Sequence, residues 1–474
     1  MSKPEKIYDG ITEVKDWLVE EARSHRFSNR KRRRNLAVAA TAACLALALI
    51  ASSLLPGGPM TMPAYAVAVP QYPEMVQYPG GEASGLALKK WRESVNEQYR
   101  DVGYADGLNG YFQSSIQQFL TENDGENTAF SPLNVYMALA MLAEITDGTT
   151  RQQILDVLGS EGIEALRQQA NDLWNDTYRD DGMMQRVLAS SIWLNEDIDF
   201  HQKALDTLAE NYYASSYQGK MGSESLNQAL RDWLNEQTGG LLKNQIRGIS
   251  LNEDTALALA TTVYFKGKWT LGGFVESRTD TGIFHGAQSD AECDMMHDSG
   301  NMNYYWGDKF TAVASGFESS EMRFLLPDEG YTPEDLLFDS EALAFLSLER
   351  TNQWENSKYM KVHRTVPKFD IEHQTKLQAG LQALGITEVF SEADADFSAV
   401  TDQPLFLSQA LHGVRVKIDE RGCEATAYTV MRADTASALP PEVEEIEFIL
   451  DRPFLFVITN RVGLPLFVGI VNQL

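Results

Sequence analysis

The segment from Asp419 to Ala436 constrains the fold more than any other stretch of the chain. It reads Asp-Glu-Arg-Gly-Cys-Glu-Ala-Thr-Ala-Tyr-Thr-Val-Met-Arg-Ala-Asp-Thr-Ala. Beyond Gly422 it alternates with a period of two. Cys423, Ala425, Ala427, Thr429, Met431, Ala433 and Thr435 form one small or apolar face, and Glu424, Thr426, Tyr428, Val430, Arg432 and Asp434 form a mostly polar one. That is the pattern of a strand with one face on a core and the other in water. Yet the segment is short of the bulky residues that hold a permanent core strand. A loop that can become a strand in the middle of a sheet satisfies both observations.

The chain has 474 residues, enough for one large domain or two or three ordinary ones. Its 43% hydrophobic and 23% charged residues are globular values. Net charge is −27. The first 34 residues hold ten Lys/Arg against six Asp/Glu, net +4, which leaves −31 for the remainder. A body this acidic argues against nucleic acid and anionic membrane surfaces as partners. The three cysteines, Cys44, Cys293 and Cys423, have neither zinc-site nor disulfide-framework spacing.

Residues 1–34 end in the basic block Arg30-Lys31-Arg32-Arg33-Arg34, and Leu36 to Leu55 follow without a charge. Twenty helical residues span about 30 Å, the thickness of the hydrocarbon layer. Basic residues stay on the cytoplasmic side, so residues 35–55 are expected to be a transmembrane anchor with the body outside. Ala64-Tyr65-Ala66 resembles a signal-peptidase site, and a chain cut after Ala66 would be secreted. The apolar run is longer than a usual signal core, which favours the uncleaved anchor. Six prolines between Pro56 and Pro79 make residues 56–103 an expected extended linker.

From residue 104 the sequence is dense and mixed. Helices are expected at Tyr111–Leu120, Leu133–Leu142 and Leu226–Asn235, the second opened by Ser131-Pro132 and the third stopped by Gly239-Gly240. Strands are expected at Val187–Trp193, Ala256–Phe265, Met322–Leu326, Val414–Ile418, Pro453–Ile458 and Leu466–Val471. Helices come mostly early and strands mostly late, an α+β arrangement. No nucleophile elbow, His-Glu-x-x-His, phosphate loop or dinucleotide fingerprint is present. His412, in a largely apolar stretch, reads as a hydrogen-bonded core histidine. His285 and His297 flank no ligand pattern, and Glu392, Asp394 and Asp396 sit in a polar turn. Neither catalysis, nor a cofactor, nor a metal is therefore expected.

Taken together and in order, the motifs resemble those of the serpin family over residues 104–474. TAFSPLNVYMALAML (128–142), TVYFKGKW (262–269), FLLPDEG (324–330), VPKF (366–369), ALGITEVFSEADADFSAV (383–400), VKIDERGCEATA (416–427), ILDRPFLFVI (449–458) and LFVGIV (466–471) carry the likeness. The resemblance implies three β-sheets, eight or nine helices and an exposed reactive-centre loop. It also implies a monomeric inhibitor that a serine protease cleaves and that traps the acyl-enzyme by inserting the freed loop into the large sheet. The stored free energy of a metastable native state would drive the step.

On that resemblance the hinge is Glu420, Gly422, Cys423, Glu424, Ala425, Thr426 and Ala427, with Cys423 where Thr or Ser is usual. Counting from Glu420 puts the scissile bond at Ala436–Ser437, and counting back from Pro440-Pro441 puts it one residue later, so Thr435 and Ala438 are alternates. Small residues there imply an elastase-like or subtilisin-like target. The polar cluster under the opening sheet, the shutter, would be Ser131, Asn134, Thr261 and His412, with Asn134 replacing a usual Ser and Thr261 a usual Asn. Trp269 matches the breach position at the top of the sheet. By analogy Cys293 lies near the same end as Cys423, and a disulfide between them would staple the loop. The alternative function is a serpin-fold binding or carrier module that never inserts its loop.

Overall fold

The computed structural model describes residues 65–80, 83–100, 102, 105–121, 123–240, 248–271, 273–347, 351–423 and 444–474. The expected tail and anchor, 1–55, lie outside them, as does Cys44. Among the described residues no helix is long and apolar enough to cross a membrane.

The first third is mainly helical: β1 (Ala66–Ala68), α1 (Gly85–Gln98), α2 (Ala105–Leu120), β2 (Thr128–Phe130), α3 (Pro132–Ile145), α4 (Gly148–Leu158) and α5 (Ile163–Thr177). A mixed third follows with β3 (Arg179–Asp180), β4 (Gln185–Asn195), α6 (Gln202–Asn211), β5 (Ala214–Gly219), α7 (Glu224–Gln237), β6 (Leu257–Leu271), β7 (Thr279–His285), β8 (Asp290–Trp306), β9 (Phe310–Phe317) and β10 (Ser320–Pro327). The remainder holds α8 (Pro333–Leu336), α9 (Ser340–Leu346), β11 (Ser357–Pro367), β12 (Phe369–Lys376), α10 (Leu377–Ala383), β13 (Leu407–Asp419), β14 (Gly422–Cys423), β15 (Glu445–Ile449), β16 (Phe454–Thr459) and β17 (Pro465–Val471).

Three sheets organise these elements. The large one runs β1-β5-β4-β6-β13-β12. A second runs β2-β17-β16-β10-β9, and a third runs β7-β8-β11-β15. The long strands β6 and β8 tie them together through their pairings with β9. Behind the large sheet lies α3. The Ser131 side chain accepts a hydrogen bond from the Asn134 amide, Pro132 fits the first turn, and every residue but Glu144 is buried. A helix apolar on all sides has to be enclosed by the rest of the core. The last two strands form the expected buried hairpin, turned at Asn460–Gly463 with Gly463 at φ 86°.

Two expectations need correction. The described residues form ten α-helices rather than eight or nine. In addition, residues 65–100, expected as linker, fold onto the body. β1 adds to the edge of the large sheet, with Ala66 opposite Tyr217. Tyr72 packs among Trp174, Tyr178 and Tyr213 at ring-centroid distances of 5.0, 5.3 and 6.1 Å. α1 starts at the Ser84 cap and buries Trp91 and Val95, one helical turn apart. Trp91 stands beside the guanidinium of Arg179, 5.5 Å from the ring centre, and Arg179 donates to the Tyr99 hydroxyl at 2.9 Å. These aromatic anchors turn a proline-rich stretch into a strap.

Candidate functional site

The seam between β6 and β13 collects those residues singled out from the sequence for the hinge, shutter and breach that the structure describes. In its lower half the two strands pair directly and in parallel, Leu407 to Gly413 against Leu257 to Thr262. In its upper half a third strand stands between them. The chain leaves β13 at Asp419, turns through Glu420 and Arg421, and returns as β14. Gly422 and Cys423 pair with Asp419 and Ile418 on one side and with Lys268 and Gly267 on the other. The first residues of the alternating segment thus already lie in the sheet. Cys423, the first member of the small face, is 3% exposed and packed into the core.

Local geometry explains the turn. Gly422 has φ +143°, and a Cβ there would sit 2.1 Å from the Gly267 carbonyl oxygen. Only glycine fits so close to β6 in that conformation. Trp269 supports the turn from the side. Its backbone N–H donates to the Arg421 carbonyl at 3.2 Å and its indole Nε1–H to the Asp419 carbonyl at 2.9 Å, while the ring stacks on Phe317 at 4.3 Å. Glu420 is buried but not isolated, since it accepts from the Thr279 hydroxyl at 2.7 Å and pairs with Lys368 at 2.8 Å. Burial works to raise its pKa, but the bonds from Lys368 and Thr279 outweigh that and hold the carboxyl below its usual range. The same bond to Glu420, helped by Asp294, raises Lys368.

Below, the four expected shutter residues meet. His412 and Thr261 are opposite each other across the seam. The Ser131 backbone N–H donates to His412 Nε2 at 3.1 Å, and the Asn134 side-chain amide donates to the Thr261 hydroxyl. Thr262 adds a bond across the seam from its hydroxyl to the Gly413 carbonyl at 3.4 Å. Burial, seconded by His373, pushes His412 down to about 3, so the ring is neutral at physiological pH. Because Nε2 accepts, the proton sits on Nδ1, which has no partner among the described residues; Asn134 Oδ1 has none among them either. Nothing here pairs a nucleophile with a base. The lower seam is closed by direct strand pairing and polar bonds, and the upper seam holds β14 between its two strands.

The other sequence candidates are separated from this cluster or undescribed. Glu424, Ala425, Thr426 and Ala427, and the expected scissile region Thr435 to Ala438, lie outside the described residues. Cys293 and Cys423 both carry thiols and are not joined by a disulfide. Cys293 sits opposite Gly282 on β8, whereas Cys423 is enclosed between β6 and β13. Sequence reasoning missed Thr279, Lys368 and Asp419 as supports of the turn before β14. Lys368 lay within the quoted VPKF motif, but only the folded register brings it to Glu420.

Comparison with known proteins gives a consistent picture. The family model for Serpin (serine protease inhibitor) matches residues 109–474. An alpha-1-antiproteinase of Rattus norvegicus is 29% identical over 388 residues, covering 80% of this chain and 90% of that one. Among solved structures, the thermophilic serpin tengpin in its native state aligns with TM-score 0.69 at 24% identity, covering 79% of this chain and 95% of that one. A thyroxine-binding globulin in complex with thyroxine aligns with TM-score 0.65 at 24% identity over 77% and 98% of the two chains.

Proposed function

We propose, from the premise that the chain belongs to the serpin family, that it inhibits a serine protease as a suicide substrate. Members of the family are mostly protease inhibitors. The observation that carries the reading for this chain is β14, where Gly422 and Cys423 stand between β6 and β13 with Cys423 facing the core. If insertion continues in that register, Ala425, Ala427, Thr429, Met431, Ala433 and Thr435 follow Cys423 onto the inner face. Six of these seven are small or short, and Met431 is flexible. No charge is driven into the core.

The step proceeds as follows. The protease serine oxygen attacks the carbonyl carbon of Ala436, the amine of Ser437 leaves with a proton, and an ester joins protease to inhibitor. Insertion then competes with water for the acyl-enzyme. About 16 residues at ~3.3 Å each carry the ester on the order of 50 Å along the sheet. The small side chains of Thr435, Ala436, Ser437 and Ala438 suit the shallow pocket of an elastase-like or subtilisin-like enzyme. Arg432 lies too early to support a trap, so a trypsin-like enzyme is expected to destroy the inhibitor.

We read Leu36–Leu55 as an uncleaved anchor that leaves the inhibitor outside the cell. The position of the possible processing site supports this. The Tyr65 carbonyl accepts from Gln218 N–H at 2.8 Å and Ala66 begins β1, so cleavage after Ala66 would remove contacts of the folded body.

The test is to incubate the full chain with an elastase and with subtilisin and separate the products on denaturing gels. A band at the summed mass, with a released peptide beginning at Ser437, is the expected result. Loop cleavage that leaves the protease active would reject the trap and favour the binding-module reading, a role the thyroxine-bound relative shows for the same fold.

A further inference from the structure

Two buried arginines face each other beside the breach end of the large sheet. Arg179 on β3 and Arg186 on β4 are directly opposite in the antiparallel register, so their side chains share one face, and they are only 2% and 1% exposed. Like charges so placed repel unless each has a counter-charge. Arg179 has one. Its Nε donates to Asp181 Oδ2 at 2.7 Å, while Asp181 Oδ1 is taken by the Met183 and Met184 amides at 3.0 and 2.9 Å. The other buried carboxylate, Asp176, accepts at Oδ1 from Arg461 Nη2 at 2.6 Å and from the Arg100 amide at 3.2 Å. No described carboxylate pairs with Arg186. Three guanidiniums thus meet two carboxylates, and one positive charge is left over.

The Arg186 guanidinium is used on one side only. Its Nη1 donates to the Ser319 carbonyl at 2.7 Å and to the Ser320 hydroxyl at 2.9 Å. Nε and Nη2 form the fork on the other edge, and both are buried without an acceptor among the described residues. Burial pushes Arg186 down to about 10, with Arg179 adding to the effect, so the group is still charged at neutral pH. Buried donors are satisfied in nearly all folded proteins, and an unpaired buried charge is the costliest exception. A vacant fork that carries the excess charge points to an anion.

We propose that the Arg186 fork holds a buried chloride ion, which accepts from Nε–H and Nη2–H together. A monovalent ion matches the single excess charge. A monatomic one suits atoms that are wholly enclosed, because an organic anion would bring a body that has to be housed as well. The ion enters as the chain folds around it, so it binds the folded state and stabilises it by linkage. Its place gives it a second effect. Arg186 and Arg179 together hold Ser319 in the left-handed region at φ 54°, Arg179 through a bond from Nη1 to Ser319 Oγ at 2.8 Å. Ser319 lies in the turn from β9 to β10, next to Phe317, whose ring stacks on Trp269. Neutralising Arg186 therefore steadies the platform on which the breach tryptophan rests, whether or not the loop inserts.

The full chain is unfolded in urea at rising sodium chloride, with sodium gluconate keeping the ionic strength constant. One ion bound only by the folded chain makes the folding equilibrium constant grow in proportion to chloride above the dissociation constant, so a tenfold rise in chloride gives up to about a tenfold gain. Arg186→Gln is expected to lose that gain. The Ser320 amide hydrogen is expected to exchange more slowly in chloride than in gluconate. Crystals of the full chain grown in sodium bromide are expected to show an anomalous peak within hydrogen-bonding distance of both Arg186 Nε and Nη2. That measurement needs no variant, so it decides the matter even if Arg186→Gln does not fold. The proposal is overturned if chloride and gluconate stabilise alike, if Arg186→Gln keeps the full chloride gain, or if no bromide peak lies against the fork. A water bridging Arg186 to Asp176 Oδ2, a buried acceptor also without a partner among the described residues, would give the last of these results.

Discussion

At Gly422 a Cβ would need space that the Gly267 carbonyl already fills, on a backbone at φ +143°. Gly422→Ala therefore has two costs, strain and a backbone clash, and both push β14 out of the seam. Strain of this kind is worth about 1–3 kcal/mol, and urea unfolding of the variant should show a loss of at least that size. An unchanged midpoint would mean that β14 is not seated in solution. His412 makes a second prediction at this scale. Its ring is buried neutral with a pKa pushed from 6.5 to about 3. The unfolded chain takes up a proton as pH drops below 6.5 and the folded chain does not until about 3. Stability from His412 is thus fully present above pH 6.5 and is lost as pH falls through that window, by up to about 1.4 kcal/mol per pH unit. His412→Gln, whose carbonyl can still accept from Ser131 N–H, should flatten this slope when unfolding free energy is measured from pH 7 to 5. A slope unchanged by the substitution would place the titration elsewhere.

At the scale of elements, the strap formed by residues 65–100 is the least expected part of the fold. Tyr72 holds it by entering the Trp174, Tyr178 and Tyr213 cluster, and burial raises its phenol. Tyr72→Ala should cost about 2 kcal/mol and speed limited proteolysis within 65–100, because the aromatic contact packs the stretch between β1 and α1 onto the body. Equal proteolysis rates in variant and parent would mean that β1 and α1 hold the segment without it. The strap was illegible in sequence for a physical reason. Its anchors Tyr65, Tyr72 and Trp91 are separated by prolines and show no period, and their partners outside the strap lie 80 or more residues away. By contrast α3, β16 and β17 were legible because capping and unbroken apolar runs are local signals. The hinge stands between these cases. Alternation assigned Cys423 to the inner face, but the pairing of β14 with Gly267 and Lys268 is a contact across more than 150 residues. Ser131, Asn134 and Thr261 emerged as a group only through family resemblance, since nothing local links a helix cap to two strands. His412 alone was readable as a bonded core histidine.

At the scale of the molecule, the question is whether the native fold lies above a state in which the loop completes the large sheet. To insert, the chain must break the direct pairing of Leu407–Gly413 with Leu257–Thr262 and the Thr262 to Gly413 bond. In return each inserted residue pairs antiparallel with a strand on either side, as Gly422 and Cys423 already do, and antiparallel ladders are somewhat more stable than the parallel one they replace. The buried core behind the seam then receives a face of small side chains without a cavity or an enclosed charge. On the proposed trap the balance favours the inserted state, and the uncut connection from β14 to β15 is what withholds it. A cut that frees the loop without forming a stable acyl-enzyme should therefore stabilise the molecule. Trypsin cleaving after Arg432 leaves residues 424–432 free to follow β14 into the seam. The cleaved chain is expected to melt more than about 10 °C above the intact one, a shift of several kcal/mol for a domain of this size. A nicked protein that melts at or below the intact chain would show that nothing is stored in the native fold, and this serpin would then be a binding module whose loop is an ordinary exposed segment.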